Sequence, residues 1–88
     1  MSRLKIRRTP ERLIVLATAP HYQAALDVCD ELELGEEELG LRLVEARITT
    51  RNRGRRCNVT LTFRWASELG EEEIVEWAEK KLEAAFKL

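Results

Sequence analysis

The stretch LRLVEARITTRNRGRRCNVTLTFRW, residues 41–65, decides how this chain folds. In its second half Cys57, Val59, Leu61, Phe63 and Trp65 fall on one phase, and Asn58, Thr60, Thr62 and Arg64 on the other. Successive side chains of a strand point to opposite faces, so this period-two pattern predicts a half-buried strand over 56–65. The first half, 41–50, predicts its partner, with Val44, Ala46 and Ile48 on the inward phase and Glu45, Arg47 and Thr49 on the outward one. Arg51-Asn52-Arg53-Gly54-Arg55 joins them. Gly54 accepts a positive φ and Asn tolerates one, so the join reads as a hairpin turn.

Upstream the same logic gives a second hairpin. Residues 3–8, RLKIRR, alternate, with Leu4 and Ile6 on one face and Arg3, Lys5 and Arg7 on the other. Thr9-Pro10-Glu11 is a tight turn, with proline where no amide donor is needed. Residues 12–18, RLIVLAT, form an unbroken apolar run that suits an interior strand. Ala19-Pro20 then opens a helix, with proline in the first turn and Thr18 or Ala19 near the cap. Its stripe is Tyr22, Ala25, Leu26, Cys29 and Leu32. The linker LELGEEELG follows, in which Glu36-Glu37-Glu38 is read as an extra helical turn between Gly35 and Gly40. Downstream, Ser67 caps a final helix over 69–87 whose stripe is Ile74, Trp77, Ala78, Leu82, Ala85 and Phe86.

The order is ββαββα in one domain, residues 1–88. It builds an α+β two-layer sandwich, a four-stranded antiparallel sheet in the spatial order 1-2-4-3 with both helices on one face. That is a ferredoxin-like fold circularly permuted, its last strand moved to the front. Lys5–Ala25 resembles a hairpin–helix segment of the C-terminal domain of the alpha subunit of archaeal translation initiation factor two. The likeness rests on the proline turn, the Arg-started strand, and the spacing of Ala19, Pro20, Tyr22 and Ala25. From residue 12 onward the element order is similar to that of the small dimeric subunit of an archaeal and eukaryotic tRNA-modification complex. The first likeness is confined to one segment and the second to topology, so neither assigns a family.

Charge is sorted along the chain. Residues 1–19 and 41–65 together carry twelve basic and two acidic groups, whereas 20–40 and 66–88 carry fourteen acids and three lysines. The overall net charge of −1 therefore conceals +10 on the hairpins and −11 on the helical segments. With both helices on one side of the sheet, the other side presents Arg3, Lys5, Arg7, Arg47, Arg51 and Arg64 with Thr49, Asn58, Thr60 and Thr62 between them. The hairpin tip adds Arg53, Arg55 and Arg56. Such a surface predicts contact with the phosphate backbone of RNA or DNA. Phe63 and Trp65 lie on the inward phase, so base stacking of the kind single-strand readers use is not expected.

Two other readings stand beside this one. The domain is a protein–protein assembly module, a homodimer through an edge strand or a subunit of a larger complex. Or it is an engineered scaffold with no natural function, since the scarcity of Asn, Gln and Met and the dense charge are shared by thermophilic chains and idealised designs.

An enzyme is not expected. His21, the one histidine, has no partnered nucleophile in the pattern, and the four glycines form no phosphate loop. Glu36–Glu38 and Glu71–Glu73 read as solvated first-turn glutamates rather than metal ligands. Cys29 and Cys57 lack metal spacing and read as small buried hydrophobes, with a disulfide as the alternative. No cofactor, metal, small-molecule substrate or membrane contact is expected. No apolar run approaches the roughly 20 residues that span a bilayer. MSRLKIRR is not followed by a signal-type apolar core, so the expected location is the cytoplasm.

Overall fold

The computed structural model describes residues 4–51, 56–64 and 69–86. Its elements are β1 (Leu4–Arg8), β2 (Arg12–Ala19), α1 (Tyr22–Glu33), α2 (Gly35–Glu38), β3 (Arg42–Arg51), β4 (Arg56–Arg64) and α3 (Glu71–Phe86). The four strands form one sheet in the order β1-β2-β4-β3, antiparallel at every pairing. β2 and β3 are thus parallel to each other with β4 between them, and α1 makes the crossover. α1 packs against β2, β3, β4 and α3, and α3 also reaches β1. These are the layers and the strand order read from the sequence.

The core is the inward face of the sheet. It takes Leu13, Val15, Ala17 and Ala19 from β2, and Cys57, Val59, Leu61 and Phe63 from β4, all buried. Ala24, Ala25, Val28 and Leu32 of α1 and Ile74, Ala78, Leu82 and Ala85 of α3 close over them. Burying each larger aliphatic or aromatic side chain contributes about 1.5–3 kcal/mol, so this layer of contacts carries the fold. In the turn after β1, the Arg12 N–H donates to Thr9 Oγ1 at 3.0 Å and the Thr9 N–H to the Arg12 carbonyl at 2.9 Å. Pro10 sits at the apex, where it costs no donor.

Three local expectations need correction. β2 runs on to Ala19, which pairs with Cys57. The ladder therefore holds residues 18 and 19 extended, and α1 starts only at Tyr22. Its cap is His21, whose Nδ1 accepts the Ala24 N–H at 3.1 Å. Pro20 lies in the bend before the helix rather than in its first turn. Second, the stripe of α1 is turned about its axis relative to the expected one. Ala24 and Val28 are buried beside Ala25, Cys29 and Leu32, whereas Leu26 is half-buried and Tyr22, in the first turn, is exposed. As expected of the apolar run, β2 is an interior strand, with Ile14, Leu16 and Thr18 half-buried on the side away from the helices.

Third, Val44 does not point inward. A register shift separates Leu43↔Phe63 from Glu45↔Thr62, so Val44 is the extra residue of a β-bulge and is 49% exposed. Leu43 takes the inward place, and the bulge returns Ala46 and Ile48 to the inward phase opposite Leu61 and Val59. Both cysteines are free and buried, so the disulfide alternative is not realised. Ser67, Trp65 and the tip residues Asn52–Arg55 lie outside the described residues.

Candidate nucleic-acid interface

The face of the sheet opposite the helices is built by strand register alone. Partners in antiparallel strands present side chains to the same side, so the pairings stack into rows. The first row is Arg12–Arg64–Arg42, across β2, β4 and β3. Next comes Arg7–Ile14–Thr62–Glu45, then Lys5–Leu16–Thr60–Arg47. Thr18–Asn58–Thr49 forms the fourth row, and Arg56–Arg51 closes the face at the hairpin end. Among the described residues, eight basic side chains and one acid stand on it. The acid, Glu45, accepts an ion pair from Arg47 on its own strand at 2.9 Å.

The middle rows form a shallow depression of about 670 Å³. Ile14, Leu16, Thr60 and Thr62 come from the two interior strands and make its floor. Lys5 and Arg7 of β1 border one side, and Arg47 and Arg51 of β3 the other. Three inter-strand steps separate those borders, about 14 Å. No helix residue lines the depression.

Of the residues expected to form the surface, Lys5, Arg7, Arg47, Arg51, Arg56 and Arg64 share this face. Arg3, Arg53 and Arg55 lie outside the described residues. Sequence reasoning missed Arg12 and Arg42. Arg12 was legible, because it lies on the opposite phase from buried Leu13. Arg42 was not, because a regular strand with Val44 facing inward also turns Arg42 inward, and only the bulge places it outside.

The helical layer carries the acids and its own organised contacts. Trp77 Nε1 donates to Glu38 Oε1 at 2.9 Å, and Lys81 Nζ to Glu38 Oε2 at 2.6 Å. Lys81 is also 4.0 Å from Glu31. The hydrogen bond from Lys81, and then that from Trp77, holds the Glu38 carboxyl below its ordinary range. Glu38 is thus a tether between α2 and α3 rather than a freely solvated glutamate. No local sequence signal pointed to this, because its partners lie 39 and 43 residues further on. Glu76 and Lys80 form an i,i+4 ion pair on α3 at 3.5 Å.

His21 and Cys29 are each engaged by their surroundings. His21 spends its Nδ1 on the helix cap. Burial, reinforced by Glu33 and Asp30, pushes the Cys29 thiol up to about 11, the direction that suppresses a nucleophilic thiolate. Among the described residues no group of three or more His, Cys, Asp or Glu side chains could hold a metal ion. Among them, too, no helix is long and apolar enough to cross a membrane. Compared with known proteins, the chain matches no family model, and no curated protein or solved structure is significantly similar to it.

Proposed function

We propose that this domain is a non-enzymatic binding module that holds the sugar–phosphate backbone of RNA or DNA against its open sheet face. The observation that carries the reading is the count on that face, eight basic groups to one acid among the described residues, on the side of the sheet away from the described helices. Lysine and arginine that neutralise phosphates release condensed counterions, which is the main sequence-independent source of affinity for nucleic acid. Thr49, Asn58, Thr60 and Thr62 add hydroxyl and amide groups that hydrogen-bond phosphate and sugar oxygens. The acidic helical layer repels the same ligand and so orients it onto the sheet.

The floor of the depression argues for backbone contact over base reading. Ile14 and Leu16 are aliphatic, and no aromatic side chain stands among the described residues of the face, so a stacking platform is missing there. Titration of the full chain against single- and double-stranded RNA and DNA oligonucleotides of unrelated sequence tests the proposal. Binding is expected with little sequence preference. It should fall steeply from about 50 to 200 mM salt, with a log–log slope of about −0.9 per duplex-DNA phosphate neutralised. Absence of binding at the low-salt end overturns the reading.

One observation favours a second reading, protein assembly. β3 is an edge strand of ten residues with its outer backbone groups unpaired within the sheet. A dimer formed there gives a sedimentation mass twice that of the chain at high salt, where electrostatic contacts are screened.

A further inference from the structure

The row Arg12–Arg64–Arg42 combines three features. Arg64 is the register partner of Arg12 on one side and of Arg42 on the other, so three guanidinium side chains rise side by side from adjacent strands. All three are exposed. Among the described residues none of the three makes an ion pair. Like charges directly opposite on a sheet are destabilising. Among the described residues, the acids next to the row in the chain and in the ladder do not offset them. Glu11 sits in the β1–β2 turn and is exposed, and Glu45 one row away is engaged by Arg47. Arg7 of the next row adds a fourth cation diagonal to Arg12.

We propose that this arginine row is a binding site for consecutive phosphate groups, and that it, rather than the 51–56 hairpin tip, anchors the polyanion on the sheet. The inference deepens the nucleic-acid reading and rests on it for the identity of the natural ligand. The recognised chemistry is a short run of linked phosphates. Guanidinium forks donate in a plane to phosphate oxygens, often in pairs, and lysine does not reproduce that geometry. Adjacent strands lie about 4.8 Å apart, so the row spans about 10 Å and offers one fork per strand. A polyanion laid across it removes the mutual repulsion that the free protein carries. The hairpin end differs. There Arg51 and Arg56 form a pair, and no third strand extends the row.

The test uses the full chain, with inorganic tripolyphosphate and a mixed-sequence RNA duplex as probes. The variants are R12Q/R42Q/R64Q, the single change R64Q, and R51Q/R56Q. Expected for the triple variant is a loss of about tenfold or more in tripolyphosphate affinity, and a duplex salt slope shallower by about two to three. R51Q/R56Q should leave tripolyphosphate binding within about twofold. R64Q removes both direct like-charge pairings, so it should melt higher than the parent chain at low salt, and the gap should shrink as salt is added. Tripolyphosphate should raise the melting temperature of the parent chain more than that of R64Q. These last readouts separate a site from a change that merely harms folding, because a damaged fold lowers the melting temperature.

Binding of tripolyphosphate through the row with no binding of either nucleic acid supports the phosphate site, and sinks the nucleic-acid reading. Tripolyphosphate affinity unchanged in both the triple variant and R64Q overturns the site, whatever nucleic acid does. So does loss of that affinity in R51Q/R56Q alone.

Discussion

Gly35 begins α2 beside Trp77 of α3 and Phe63 of β4, and replacing it with alanine tests how tightly that contact is made. A Cβ there comes 3.1 Å from Trp77 Cη2 and 3.3 Å from Phe63 Cζ, both inside ordinary contact distance. For the alanine to fit, one or both rings must give by a few tenths of an ångström. Phe63 is fully buried in the core. Trp77 is held at its other end by the hydrogen bond from Nε1 to Glu38. The Gly35 carbonyl also accepts the N–H groups of Leu39 and Leu41 at 3.0 and 3.3 Å, so the backbone cannot easily move instead. Overpacking a filled site costs about 1–3 kcal/mol. Alanine returns at most about 1 kcal/mol of helix propensity, and less in a four-residue helix. The net expectation for Gly35→Ala is a loss of about 0.5–2 kcal/mol. With a urea m-value near 1 kcal/mol/M for a chain this small, the midpoint should drop by about 0.5–2 M with m unchanged. Gly40→Ala is the control. Its Cβ meets open space, but its φ of +68° is left-handed, so it should cost about 1 kcal/mol for a purely conformational reason. Gly40→Asn should recover part of that loss, because asparagine tolerates this conformation, whereas Gly35→Asn should be worse than Gly35→Ala. A Gly35→Ala chain as stable as the parent, or more so, refutes the close-packing argument.

Two further expectations follow from named contacts. His21→Ala removes the acceptor for the Ala24 N–H and should cost about 0.5–1 kcal/mol, seen as a melting temperature lower by roughly 2–8 °C. His21→Asp should match or exceed the parent, and a chain indifferent to both changes would show that the cap contributes nothing. Glu38 gives an acid-side signature. Its carboxyl titrates lower when folded than the ordinary value of 4.5, so its contribution is present above that value and is lost as pH falls through the folded one. Urea midpoints of E38Q should therefore lie below those of the parent chain near neutral pH and converge with them in acid. A gap that stays constant across that range would count against the tether.

What was legible in the sequence was whatever depends on period and on single residues that stop an element. The alternation of Cys57 to Phe63 placed β4 and its faces correctly, and Pro10 marked the first turn. The strand order followed, because the long apolar run of 12–18 had to be interior. What was not legible depends on contacts between distant parts of the chain. His21 became a cap only because pairing with Cys57 keeps Ala19 in the ladder. Glu38 looked like one of three equivalent glutamates until α3 brought Trp77 and Lys81 to it. The candidate site was half visible: the charge excess on the open face was countable, but its sharpest concentration needed the register across three strands. Arg12, Arg42 and Arg64 are 52 positions apart at the extremes and meet only through β4.

The bulge at Val44 ties the charge pattern to the behaviour of the sheet edge. On the β4 side, Phe63 and Thr62 are consecutive, and their partners are Leu43 and Glu45. Val44 is therefore extra with respect to the ladder. Deleting it leaves Leu43 inward, Glu45 outward and Arg42 still opposite Arg64, a regular strand with every neighbour on its present face. The deletion should therefore fold, at a stability within about 1 kcal/mol of the parent chain, because the exposed Val44 side chain buries little apolar surface. The edge itself should change. A bulge bends and twists an edge strand, which spoils it as a flat template for a second chain. Without it, β3 presents a straight row of unpaired backbone donors and acceptors. Repulsion between Arg42, Arg47 and Arg51 on the two edges is then the main remaining barrier to pairing. Salt screens that repulsion. The deletion chain should thus be monomeric at low salt and should associate as salt rises, the reverse of a complex held by opposite charges. Sedimentation of both chains across a salt series reads this directly. A deletion that stays monomeric throughout, even where salt screens the arginines, would mean that neither the bulge nor that repulsion is what keeps this edge single.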